Sequence, residues 1–110
     1  MDEDELTPGS GNVFADIGIP NADEHRLKAD LALRIVDIMR ERGLTQTATA
    51  KILGITQPEV SNIFRRGQFE RVSVERLLGH LVRLGHDVEI VVRPLPLEGE
   101  AGIKVVVAAS

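Results

Sequence analysis

The chain has 110 residues, 43% hydrophobic and 27% charged, which fits one domain around one core. It holds no Cys, Trp or Tyr and only three His, which rules out a disulfide framework or a thiolate metal site and leaves no aromatic platform for single strands. The net charge of −4 is unevenly spread: residues 1–20 carry −5, residues 21–86 carry +3 and residues 87–110 carry −2. A basic body between acidic ends attracts phosphate locally, whatever the total.

No apolar run reaches the roughly 20 residues of a membrane helix. The start, Met1-Asp-Glu-Asp-Glu5, is acidic where a signal peptide is basic. A soluble cytoplasmic protein is expected. Residues 1–11 read as a disordered acidic arm. The following stretch to Pro20 offers Val13, Phe14, Ile17 and Ile19 for docking on the body.

A first helix is predicted from about Ala22, capped by Asn21 or Asp23. Leu27, Leu31, Ile35, Ile38 and Met39 recur on one face, with Arg26, Lys28, Arg34, Asp37, Glu41 and Arg42 mostly off it. Gly43 suits the left-handed residue that ends such a helix. Thr45 caps a short helix over about 46–53, with Ala48, Ile52 and Leu53 inward, and Gly54 stops it. Thr56 caps the next, over about 57–66. Pro58 lies in its first turn, where a backbone N–H has no helical partner. Val60, Ile63 and Phe64 make its apolar face, and Gly67 ends it.

Ser73 caps a fourth helix whose core stripe is Leu77, Leu78, Leu81, Val82 and Leu84, ended by Gly85. The period then changes. Asp87–Arg93 alternates and is β-branched, which predicts a strand stopped by Pro94-Leu-Pro96. Ile103–Val107 is a candidate second strand.

The informative stretch is Leu44–Gly67, LTQTATAKILGITQPEVSNIFRRG. Two short helices joined by Gly54-Ile55-Thr56 make a helix-turn-helix pattern. Ala48 and Ala50 permit close crossing, Gly54 permits a positive φ, Ile55 fills the corner, and Val60 packs the second helix on the first. The second helix then presents Gln57, Glu59, Ser61, Asn62 and Arg65. Gln and Asn match the adenine edge in the major groove, and Arg matches guanine. The helix N-terminus near Gln46 suits a phosphate.

Leu44, Thr45, Gln46, Ala50, Leu53, Gly54, Ile55, Thr56, Gln57, Val60 and Ser61 together resemble the signature of the Xre family of helix-turn-helix regulators, to which lambda-type repressors belong. The phrase Val13–Gly18, the stretch Glu75–Leu78 and the ending Gly85–Pro94 are similar to the HigA-type antitoxin branch. The resemblance implies a mainly α, lambda repressor-like bundle over residues 12–86. Residues 87–110 would form a C-terminal β-strand or hairpin used for dimerisation through Val88, Ile90, Val91 and Val92. A lone edge strand leaves unpaired backbone groups that its two-fold mate satisfies.

The resemblance further implies a homodimer bound to a palindromic operator in double-stranded DNA, repressing its own operon. Gln57, Ser61, Asn62 and Arg65 would read the groove, with Gln46 and Thr56 on phosphate. Two positions depart from the pattern. Pro58 removes one possible contact, and Arg65-Arg66 replaces a more usual acidic or Asn-rich end, which assigns Arg66 to phosphate or to a guanine at the site edge. HigA-like proteins also neutralise a RelE-like toxin. The competing reading is therefore an interaction module, with Asp2–Glu5 and Val13–Ile19 as the partner surface.

On an arbitrary helix, Gln57, Ser61 and Asn62 are solvated residues, and Arg65, Arg66 and Arg71 are a solvated charge cluster. Inside this motif DNA contact is the better reading, while Glu59 repels phosphate. His80 and His86 read as structural or surface residues and His25 as a surface one, because no carboxylate or second His stands at ligand spacing. No nucleophile elbow and no phosphate-binding glycine loop is present, so neither an enzyme nor a cofactor is expected.

Overall fold

The computed structural model describes residues 21–95 and 102–108. The arm expected over residues 1–11 and the docking segment to Pro20 lie outside the described residues. Among the described residues, four helices pack around one core. They are α1 (Asn21–Glu41), α2 (Gln46–Leu53), α3 (α-helical over Gln57–Val60 and widened to a π turn over Ser61–Arg65) and α4 (Val74–Arg83).

The boundaries follow local chemistry. α1 buries Leu27, Leu31, Ile35 and Ile38 on one face. It ends where Gly43 turns left-handed at φ 62°, so that the Leu44 N–H reaches the Met39 carbonyl at 2.8 Å. α4 starts at Ser73, whose Oγ accepts from the Arg76 N–H at 3.1 Å. It buries Val74, Leu77 and Leu81, and Leu84 just after it completes that face.

α1 packs against α4 and against the π turn; α2 packs against α3 and α4. Ile35, Ile38, Val60 and Leu77 are fully buried where these helices meet. Two side chains tie the ends together. The Arg42 guanidinium donates to the Leu84 carbonyl at 2.7 Å, and the Lys28 ammonium donates to the Glu70 carbonyl at 3.0 Å. Lys28 is buried beside Glu24, its ion-pair partner at 3.4 Å, although the helical spacing had left it off the core face.

Among the described residues, the expected C-terminal strand and hairpin are absent. Among the described residues the chain is all-helical, and residues 87–95 and 102–108 contain no strand. Alternating Val and Ile supply strand propensity but not a strand partner, and a ladder needs both. Val88, Ile90, Val91 and Val92 are exposed, with Ile90 at 79% and Val92 at 89%. Val105 alone of the second segment packs half-buried against the core. Val82, expected in the α4 stripe, is 57% exposed. No helix among the described residues is long and apolar enough to cross a membrane.

Candidate nucleic-acid interface

The site is built on the turn between α2 and α3. α2 starts at Thr45, whose Oγ1 accepts from the Ala48 N–H at 3.0 Å. Thr49 is fully buried and donates its hydroxyl to the Thr45 carbonyl at 2.8 Å, so a polar residue sits in the core with its bond made. Ala50 and Leu53 are buried, Ala48 and Ile52 half-buried. Gly54 then adopts φ 74°, and its N–H donates to the Ala50 carbonyl at 2.8 Å. From α4, the Arg83 guanidinium donates to the Ile52 carbonyl at 3.4 Å, placing positive charge at the negative end of α2.

α3 opens on a capping box. The Thr56 hydroxyl accepts from the Glu59 N–H at 3.2 Å, and the Glu59 carboxylate accepts from the Thr56 N–H at 2.8 Å. The Thr56 backbone bond, then the Thr56 hydroxyl, holds the Glu59 carboxyl below its ordinary pKa. Glu59, which on its face would repel phosphate, is thereby occupied at the helix start. Pro58 falls in the first turn, as its missing N–H requires.

Beyond Val60 the helix widens. The Arg66 N–H donates to the Ser61 carbonyl at 3.0 Å, five residues back. This turn carries Phe64 buried and Ile63 half-buried on one side, with Asn62 and Arg65 exposed on the other. Thr56, Gln57 and Arg66 are also exposed, while Ser61 and Gln46 are half-buried. The Gln57 amide donates to the side-chain oxygen of Gln46, which joins the starts of α2 and α3.

A groove of about 340 Å³ lies between the end of α1 and α3, over Met39, Leu44 and Phe64. Arg40, Gln46 and Arg65 line it together. Neither guanidinium has an ion-pair partner among the described residues. Sequence reasoning missed Arg40, because nothing local marks a helix-surface Arg as the neighbour of a residue two helices later. Among the described residues, no group of three or more His, Asp or Glu is placed to hold a metal ion.

The family profile described as a helix-turn-helix domain matches residues 13–93. A solved structure provisionally described as an XRE family transcriptional regulator shares 42% identity, with a TM-score of 0.75 over 82% of this chain and 100% of that chain. The chain belongs to the XRE family of helix-turn-helix regulators. As an XRE protein it is a DNA-binding regulator and not an enzyme. The family match spans all four helices, and it ends inside the exposed apolar segment that follows α4. A search of curated proteins found no match.

Proposed function

We propose that this XRE protein is a sequence-specific regulator of its own operon, with α3 lying in the major groove of a palindromic operator. The observation that carries the reading is the exposed row on α3, Gln57, Asn62 and Arg65, ending in Arg66 and steadied at its start by Gln46. Gln57, Ser61, Asn62 and Arg65 read base edges in this proposal. Gln46, Thr56 and Arg66 hold phosphates, and Arg40, beside Arg65 in the groove, adds a further backbone contact.

Two copies of α3 about one helical turn apart require a homodimer. Val88, Ile90, Val91 and Val92 are its proposed contact, since their exposure in the single chain supports burial against a mate. The second reading is an antitoxin-type module that neutralises a RelE-like toxin, with Asp2–Glu5 and Val13–Ile19 as the partner surface and DNA contact secondary.

A mobility shift on the DNA upstream of the gene tests the first reading. Asn62→Ala should cost about 1–3 kcal/mol of specific affinity and relax preference at one base pair. Equal binding of every sequence by parent and variant would remove Asn62 from the readers. Deleting residues 87–110 should give monomers in sedimentation. A truncated chain that remains dimeric places the dimer contact elsewhere, and co-purification of a neighbouring gene product in place of a shift favours the second reading.

A further inference from the structure

We propose that His80 is a positioning residue for α3, and that protonating it releases the Ser61–Arg65 turn and weakens DNA binding. The proposal rests on the DNA-binding reading above and adds a regulation to that same site.

His80 lies on α4, outside the helix-turn-helix, and is only 5% exposed. Its ring meets the Phe64 ring edge-on, with centroids 6.3 Å apart and an interplanar angle of 68°. Phe64 is the buried residue of the π turn, the turn that also carries Asn62 and Arg65. The imidazole is therefore part of the floor on which the DNA-facing residues stand. Its Nε2 is buried and has no hydrogen-bond partner among the described residues. Buried polar atoms are normally paired, and an unpaired one marks a place where the packing is held against a cost.

The charge around the ring favours the neutral form. Burial is the leading cause that lowers its pKa, followed by the Arg76 and Arg83 guanidiniums on its own helix. Glu59 of α3 is the opposing carboxylate, and that group is occupied by the capping box with Thr56. Among the described residues, no charged side chain of α1 or α2 contributes to the shift. An added proton places a cation in a buried contact that Arg76 and Arg83 already disfavour, with no acceptor for an Nε2–H among the described residues. In this proposal the charged ring swings away from Phe64 toward water, and the widened turn then loses its support.

The sign of the effect is diagnostic. Acid adds positive charge to a protein, which by itself strengthens phosphate attraction. Release of the α3 turn does the opposite. The intact chain is compared with His80→Gln and His80→Phe, neither of which titrates. Affinity for the upstream DNA is read at fixed salt from about pH 7.5 to about pH 5.5. The parent should lose affinity, by up to about tenfold per pH unit, once the pH falls below the lowered value of the His80 ring. Both variants should hold or gain affinity over the same range.

In the free parent protein, the His80 ring is titrated by NMR, and amide exchange is followed along the chain. Amides of residues 61–66 should lose protection with the midpoint of the ring, while those of α1 stay protected. An ordinary histidine titration, a simultaneous loss of protection throughout the chain, or the same pH profile in the parent and in a folded variant would each overturn the proposal. Should both variants fail to fold, the two measurements on the parent decide. Coupled ring and exchange changes without binding to any DNA would sink the DNA reading and leave the positioning role standing.

Discussion

The Gln57 side-chain amide donates to the side-chain oxygen of Gln46, eleven positions earlier on the preceding helix. Gln57 is exposed and has a long, flexible side chain, so a tether at its amide selects one rotamer before any partner arrives. The tether also leaves the carbonyl oxygen of Gln57 and the amide nitrogen of Gln46 without a bond in this pair. One faces a base and the other a phosphate in the proposed complex. Gln57→Ala should cost about 1–3 kcal/mol of discrimination at one base pair. Gln46→Ala should act partly through Gln57, so the double variant should fall short of the sum by about 0.5–3 kcal/mol. A double-mutant cycle read by fluorescence anisotropy on operator DNA checks this, and strict additivity would show that the pair does not act as a unit.

Arg40 and Arg65 line one groove beside Gln46, and Arg66 follows just past the end of α3. Each phosphate contact releases counterions, and the dependence of affinity on salt counts them. Arg66→Ala and Arg40→Ala should each weaken binding to all sequences alike and reduce the salt slope by about 1. An unchanged slope in Arg40→Ala would take that residue off the backbone.

Acid should weaken the fold in two stages. The His80 pKa is lowered, chiefly by burial and then by Arg76 and Arg83, so the folded state resists a proton that the unfolded chain accepts. Its contribution to stability is full above the ordinary value of 6.5 and declines as pH falls below it. The Glu59 pKa is also lowered, through the Thr56 backbone and hydroxyl bonds, so the unfolded chain again binds its proton first. That contribution is full above the ordinary value of 4.5 and is lost as pH falls through the lower folded value. Thermal unfolding followed by circular dichroism across pH should show both limbs. His80→Gln should flatten the upper one, and Glu59→Gln the lower.

Two glycines should respond oppositely to alanine. Gly54 sits at φ 74°, and a Cβ there would lie 3.0 Å from an Arg83 guanidinium nitrogen. The guanidinium is flexible and can move, but the backbone angle cannot be relieved, so Gly54→Ala should cost about 1–2 kcal/mol. Gly79 lies within α4, and a Cβ there meets nothing within 4 Å. Gly79→Ala should stabilise by about 0.4–1 kcal/mol. Urea unfolding of the two variants measures both signs.

Features that depend on near neighbours in the chain are legible in the residues alone. Thr45, Thr56 and Ser73 cap the helices they were read to cap, because a cap joins residues three apart. Leu31, Ile35 and Ile38 are buried because their spacing puts them on one face of a helix, and the bend at Gly54 follows from its freedom to take a positive φ. The tertiary structure alone decided which polar groups the core admits and which apolar ones it leaves out. Lys28, Thr49 and His80 are buried and Val82 is exposed, since burial depends on which helix arrives opposite. The π turn, the Gln46–Gln57 bond and the shared groove of Arg40 and Arg65 have the same origin in the packing of separate elements. The strand expected over Asp87–Arg93 is absent from the described residues of the single chain for a related reason: alternation describes one edge, and a strand exists only when a second edge supplies the hydrogen bonds.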